Sequence, residues 1–136
     1  MKKLIELAEK IKDENLRKKV IEFLNNPKLS HPEFRKYPRE SIKKAVTLFT
    51  VSSPSGGMTV ERDVLNHTIA VTEMCISASK ILKKNFDLKL NKDYLIAAAL
   101  LHDIMKLFEW RKTKGGVEHT GVMLDHTMLA VAELYK

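Results

Sequence analysis

The sequence predicts a compact all-α helical bundle, and three observations support this fold class. Glycine and proline are scarce, with five and four among 136 residues, whereas β-sandwiches need frequent turns. Several segments repeat apolar residues every three or four positions, which is the period of an amphipathic helix. No segment alternates apolar and polar residues over a length that indicates a strand. The chain has the length of about one domain.

The N-terminal segment is predicted to be helical and to end in an irregular connection. Apolar residues recur at helical spacing over residues 3–25, with a break near residues 13–15 that divides the segment into two helices. Residues 27–38 contain three prolines and predict an irregular connector.

The next helix is predicted at residues 39–51, where one face carries Ile42, Val46 and Phe49. The segment SSPSGG at residues 52–57 predicts a loop. Three further helices are predicted at residues 61–84, 94–107 and 120–136, with Asp93 as a candidate N-cap of the second. Polar residues 85–92 and 112–116 are expected to connect them. The last helix has neither a glycine cap nor a proline stop, which fits a helix ending with the chain or the front part of a longer domain.

The composition excludes several classes of protein. A single cysteine, Cys75, cannot form a disulfide within the chain, and its apolar surroundings predict a core residue. No signal peptide is apparent, and the longest apolar run, LIAAALL, is too short to cross a bilayer. We therefore expect a soluble cytoplasmic protein. The formal net charge is +7, and most of the excess precedes His67, which predicts a solvated lysine-rich surface and leaves nucleic-acid binding as an alternative.

Four polar residues lie on faces that should be packed. His67, His102 and His126 each share a predicted helix face with apolar residues, and Asp103 stands inside the run AAALLHDIMKL. A carboxylate in such a run is costly unless it is compensated. A divalent metal would compensate the histidines and the aspartate together, whereas hydrogen-bonded core histidines are the alternative interpretation.

The segments VLNHTIAV and ALLHDIMK together resemble the HD-domain metal-dependent phosphohydrolases. GVMLDHTMLAVAEL is similar to a segment of the branch that contains HD-type exoribonucleases and archaeal cyclic phosphodiesterases. The resemblance covers residues 45–136 and implies a compact HD-domain-like helical bundle with one or two divalent metals. We accordingly divide the chain into an N-terminal helical extension with its connector, residues 1–38, and an HD-type domain, residues 39–136.

The resemblance also implies roles for individual residues. His67 would be the first metal ligand, and His102 and Asp103 the second and third, with Asp103 bridging two metals where two are bound. His126 matches the histidine that completes a second metal site. The family's last aspartate ligand has no counterpart, because the acidic residue that follows His126, Glu133, is too close to it in sequence.

Three further residues are candidates with open roles. Lys106 matches a lysine that lies near the substrate phosphate, although Met105 stands where the family has glycine. Asp63, one turn before His67, would orient that histidine or donate a proton, with a plain surface residue as the alternative. His119 would be a ligand, a substrate contact or a surface residue.

The function that follows is hydrolysis of a phosphate ester, most simply a nucleotide-like or cyclic phosphodiester, by metal-activated water. Mixed imidazole and carboxylate ligands suit Fe(II), Mn, Co, Ni or Zn. The expected partner is a phosphate-ester small molecule or a nucleotide, with no membrane; a nucleic-acid partner and a homo-oligomer stay open. The alternatives are a basic nucleic-acid-binding module and a non-catalytic HD-like scaffold.

Overall fold

The computed structural model describes residues 1–135, and within them the prediction of an all-α fold is wrong. Five α-helices are accompanied by two antiparallel β-hairpins. The helices are Lys2–Ala8 (α1), Glu14–Asn25 (α2), Val64–Phe86 (α3), Lys92–Leu101 (α4) and His126–Leu134 (α5). The strands are Val46–Ser53 (β1), Gly56–Asp63 (β2), Trp110–Thr113 (β3) and Gly116–His119 (β4), and short 3-10 helices span Pro32–Phe34 and Ile104–Phe108.

The first hairpin, β1–β2, replaces the helix that was predicted at residues 39–51 and the predicted start of the next helix. The sequence VTLFTV of β1 is rich in β-branched residues, which favour extended backbone. Ser53 lies opposite Gly56, so the turn contains only two residues, 54 and 55. Gly56 has a φ of +133°, a backbone conformation that favours glycine. The helical spacing of Ile42, Val46 and Phe49 therefore indicated the secondary structure less well than the preference of the β-branched residues for extended backbone.

The second hairpin, β3–β4, lies where a polar loop was predicted. Thr113 is opposite Gly116, which again leaves a two-residue turn, and Gly116 has a φ of +129°. Each strand has only four residues, which is too short to show a period-two pattern in the sequence.

The helix ends depart from the predicted ones because side chains cap them at other positions. Asp63 caps α3 by accepting from the Asn66 N–H, so residues 61–63 stay in β2. Asn91, not Asp93, caps α4. Asp125 caps α5, so this helix begins at His126 rather than at residue 120. The predicted helix over 94–107 ends at Leu101 and continues as the 3-10 helix Ile104–Phe108.

One cluster of buried apolar side chains joins the helices. It contains side chains of α1, α2, α4, the second 3-10 helix and α5, among them Leu4, Leu7, Val20, Leu24, Leu100, Met105 and Leu129. The N-terminal helices therefore pack on the same core as α4, which leads into His102 and Asp103. Among the described residues, no helix is both long and apolar enough to pass through a bilayer.

Candidate metal centre

Three elements bring the predicted ligands together. His67 lies in the first turn of α3, directly after the strand β2 ends at Asp63. His102 and Asp103 lie between the end of α4 and the 3-10 helix that follows. His126 is the first residue of α5. Each of these side chains therefore stands at a helix end, where a neighbouring element can approach closely.

The closest group consists of His67, His102 and Asp103. The Nε2 atoms of the two histidines are 3.4 Å apart, and each lies 3.5 Å from Oδ2 of Asp103. The imidazole rings meet edge to face, with 5.4 Å between their centroids. These three side chains are the candidate metal-ligand group among the described residues.

Asp103 is the centre of the site. Its side chain is nearly buried, with 4% of the residue exposed. Oδ2 also lies 2.9 Å from Nη2 of Arg62 and 3.4 Å from Nζ of Lys106. The other oxygen, Oδ1, faces Nε2 of His126 at 3.6 Å. The two oxygens of one carboxylate therefore face different histidines.

Hydrogen bonds orient two of the histidines for ligation through Nε2. Nδ1 of His102 is 2.7 Å from the Ala99 carbonyl, which can only accept, so Nδ1 carries the proton. Nδ1 of His126 donates in the same way to Oε2 of Glu109 at 3.1 Å. In both rings Nε2 consequently faces the cluster, and in the neutral imidazole this atom carries the lone pair, the arrangement that outer carboxylates and carbonyls give to metal-binding histidines.

His67 has a different environment. Burial lowers its pKa most, and the neighbouring Arg62 guanidinium lowers it further, against the opposing effect of Asp103. The imidazole is therefore biased towards the neutral form, which is the form that binds metals. Its Nδ1 lies 3.4 Å from Nη1 of Arg62.

The donor set fits a single divalent ion. Donors bound at about 2.0–2.2 Å and at angles of about 90–110° lie roughly 3.0–3.5 Å from one another. The separations among the two Nε2 atoms and Oδ2 are 3.4–3.5 Å. Two imidazoles and one carboxylate are also ligands that iron, manganese, nickel, cobalt and zinc accept.

Of the remaining predicted residues, Lys106 lies at the cluster. It is buried beside Asp103, with 9% of the residue exposed. Asp63 uses its carboxylate as the N-cap of α3. His119 is exposed at the end of β4, where Nδ1 accepts from the Gly121 N–H and the ring meets Trp110 edge to face. Glu133 accepts from the backbone N–H and the hydroxyl of Ser30.

Sequence reasoning missed two residues of the site, Arg62 and Glu109. Arg62 precedes the cap of α3, and Glu109 directly precedes β3. Both lie at the base of a hairpin, and neither hairpin was predicted. One feature of the sequence could have indicated Arg62. It lies five residues before His67, so a strand that leads directly into α3 places it beside that histidine. Cys75, expected in the core, is half-buried on α3.

Comparison with known proteins identifies the family. The family model described as HD domain matches residues 64–136, and the chain belongs to this family. The resemblance noted from the histidine segments is thereby confirmed.

A curated relative has a more specific description. Dihydroneopterin 2',3'-cyclic phosphate phosphodiesterase of Methanocaldococcus jannaschii is 45% identical to the chain over 138 residues. The match covers 100% of this chain and 53% of the relative, so the chain spans about half the length of that protein. No solved structure matches the chain.

Proposed function

We propose that this protein is a metal-dependent phosphodiesterase. The observation that carries the proposal is the convergence of His67 Nε2, His102 Nε2 and Asp103 Oδ2 within 3.5 Å of one another. Two neutral nitrogen donors and one carboxylate oxygen at this separation would hold one divalent ion. His126 Nε2 and Asp103 Oδ1 would serve a second ion from the opposite side of the carboxylate. When bound, such ions activate water and polarise phosphoryl oxygens.

The protein's own residues would bind and orient the phosphate ester. Lys106 places its ammonium 3.4 Å from Asp103 Oδ2 and would offer positive charge to a phosphoryl oxygen as negative charge develops there. Glu109 and the Ala99 carbonyl hold His126 and His102 in the orientation that ligation needs. Because Asp103 is almost buried, its charge acts in surroundings from which much of the water is excluded.

The substrate class is proposed from the relative. Its printed name describes a phosphodiesterase for a 2',3'-cyclic phosphate. We infer that this chain also acts on a small molecule with a cyclic phosphodiester, and that a transition metal such as Fe(II), Mn, Co, Ni or Zn supports the reaction. A single negative charge on such a diester would complement the cationic side chains at the cluster.

The test combines metal analysis with hydrolysis. Purified protein is loaded in turn with each of the five metals without oxygen, and its bound metal is measured by elemental analysis. Hydrolysis is followed with bis-p-nitrophenyl phosphate and with a 2',3'-cyclic nucleotide. We expect at least one metal to bind in stoichiometric amount and to support hydrolysis of both esters.

Variants assign the activity to the cluster. His67→Ala and Asp103→Ala should lose metal and activity while their helical content, measured by circular dichroism, stays near that of the wild type. His31→Ala, on the exposed connector, is the matched control and should retain both. Full activity in both cluster variants, or a wild-type protein that takes up none of the metals, would contradict the proposal. Tight, steeply salt-dependent binding of oligonucleotides without hydrolysis would favour a nucleic-acid-binding module instead.

A further inference from the structure

We propose that Arg62, at the base of the hairpin β1–β2, binds the phosphoryl group of the substrate. This inference rests on the proposed function and adds a residue that lies outside the predicted ligand and lysine positions. Arg62 is the residue before the α3 cap Asp63, and it lies five residues before His67. It reaches the cluster from the sheet, whereas the candidate ligands come from the helical part.

The backbone of Arg62 is held in place at the hairpin base. In the strand register it lies opposite Thr47, which is buried. The N–H of Val64, two residues later, donates to the Ala45 carbonyl at 3.1 Å and joins the start of α3 to the segment before β1. A side chain on such a backbone can present its donors with little loss of entropy on binding, which is the general requirement for a positioned ligand contact.

The guanidinium has more donors than its present partners use. Nη2 donates to Oδ2 of Asp103 at 2.9 Å, and Nη1 lies 3.4 Å from Nδ1 of His67. Nε is buried and has no hydrogen-bond partner among the described residues. Ligation through Nε2 of His67 puts the proton on Nδ1, which then cannot accept from Arg62. Besides the N–H that donates to Asp103, the two Nη atoms of Arg62 carry further N–H groups, and these are available for an anion beside the cluster.

The charge balance favours an anion at the same place. Arg62 and Lys106 both point at the same oxygen of Asp103, so two basic side chains share one carboxylate. The other carboxylate at the site, Glu109, is directed to His126. Because the Arg62 side chain is 31% exposed, an anion arriving from solvent can reach it. A phosphoryl group has the charge and the acceptor geometry that a guanidinium fork recognises.

An aromatic ring supports the guanidinium from the same face of the hairpin. The central carbon of the guanidinium lies 6.0 Å from the ring centroid of Phe49. Phe49 is two residues from Thr47 on β1, so its side chain projects from the same face as that of Arg62. Contact with an aromatic face helps to orient a guanidinium while leaving its edge donors free.

The test measures phosphate binding separately from turnover. Inorganic phosphate is titrated calorimetrically into the metal-loaded protein and into protein without added metal, for the wild type, Arg62→Gln, Arg62→Lys and Arg111→Gln. Arg111 is the matched control, since it lies on the other hairpin and pairs with Glu118 at 3.5 Å on the exposed surface. Bound metal, and kcat and KM for bis-p-nitrophenyl phosphate, are measured for the same four proteins.

We expect Arg62→Gln to weaken phosphate binding about tenfold and to raise KM at unchanged metal content, because a charge-assisted contact is lost. The phosphate affinity and KM of Arg62→Lys should lie between those of Arg62→Gln and the wild type. Lysine keeps the positive charge, but its ammonium lacks the planar set of donors with which a guanidinium contacts a carboxylate and a phosphate together. Arg111→Gln should match the wild type.

Three results would overturn the inference. One is phosphate affinity and KM of Arg62→Gln within twofold of the wild type. Another is loss of metal together with phosphate binding, which would show that Arg62 only positions Asp103. If Arg62→Gln does not fold, Arg62→Lys decides, and wild-type phosphate binding in that variant rejects the role. A wild-type protein that binds no metal contradicts the proposed function alone, since the titration without added metal still compares the arginine variants.

Discussion

The two hairpins have the same kind of turn and supply opposite charges to the site. Both turn in two residues and have a glycine at a φ near +130° directly after the turn. At the base of the first hairpin, Arg62 donates to Asp103. At the base of the second, Glu109 accepts from Nδ1 of His126. One hairpin therefore brings a cation to the central carboxylate, and the other brings an anion to a histidine.

Position on a hairpin decides what an arginine can do. Arg62 and Arg111 both lie on strands, but Arg62 is opposite the buried Thr47, whereas Arg111 is opposite the exposed Glu118. Arg111 forms a surface ion pair with that glutamate. The charged groups of these hairpins that reach the candidate site therefore lie where a strand meets the helical core.

The largest effect is expected from the base of the second hairpin. Glu109→Gln replaces the carboxylate that accepts from His126 Nδ1, so this histidine is held less firmly and becomes a poorer donor through Nε2. Such outer contacts are worth about 10- to 100-fold in the affinity for the ion that the histidine binds, which here is the proposed second ion. Competition with a chelator measures the change, and Glu118→Gln, exposed on β4, is the control. Unchanged affinity for that ion in Glu109→Gln would show that the second hairpin does not contribute to the site.

Alanine at the two turn glycines should have an intermediate and nearly equal effect. In the part of the chain that the structure describes, nothing lies within 4 Å of a Cβ added at Gly56 or Gly116, so the cost of Gly56→Ala or Gly116→Ala comes from the positive φ alone. We expect each to lower the free energy of unfolding by about 1–3 kcal/mol, measured by denaturant titration.

Gly115→Ala serves as the control for the turn variants. An added Cβ there meets only Thr113 Oγ1 at 3.9 Å, an ordinary contact, and the change should stay within about 0.5 kcal/mol. Metal content should not change in any of the three. If a turn variant abolished metal binding, the functional part of the hairpin could not be restricted to its base.

The smallest effect is expected from the ion pair that joins the hairpins. Lys112 Nζ lies 2.7 Å from Oε1 of Glu61, and both side chains are about half exposed. A double-mutant cycle of Lys112→Ala and Glu61→Ala should give a coupling below about 1 kcal/mol that weakens in salt. The pair Lys18–Glu14 within α2 is a reference of the same kind. A coupling that persists undiminished at high salt would show that the hairpins act as one unit.

The sequence singled out polar side chains that the structure brings together, but it did not predict the strands. His67, His102, Asp103 and His126 were recognisable because a histidine or carboxylate on an apolar face needs a partner, and this can be read one helix at a time. Arg62 and Glu109 look like ordinary surface charges in the sequence. Their role depends on two hairpin bases that meet the helices, which is a tertiary property.

The strands were missed for a physical reason. Among the residues whose burial the structure describes, most of β1–β2 beyond its base is exposed, so any alternation between a buried and a solvent face is confined to the base, and Phe49 and Val51 are exposed on the same side. Without that alternation, the chance helical spacing of Ile42, Val46 and Phe49 dominated the pattern. The β-branched content of VTLFTV was the better indicator.

Asp93 has a consequence for the order in which the chain folds. Its two carboxylate oxygens accept the backbone N–H groups of Lys12 and Asp13, which are 81 and 80 residues away. Joining the α1–α2 junction to the start of α4 closes a very long loop. This closure costs conformational entropy, whereas the formation of a helix from neighbouring residues does not require it. The hydrogen bond from the Lys12 N–H lowers the pKa of Asp93 most, and the one from the Asp13 N–H lowers it further.

This contact should therefore form late in folding, and its contribution to stability should be lost only in strong acid. Because the folded-state pKa is lowered, the contact contributes stability above the ordinary aspartate pKa and loses it as the pH falls through the lowered value. Asp93→Asn should speed unfolding more than it slows refolding, and its stability should approach that of the wild type in acid. Helices α1 and α2 would then pack last, onto a core in which the part that carries the candidate ligands has already folded.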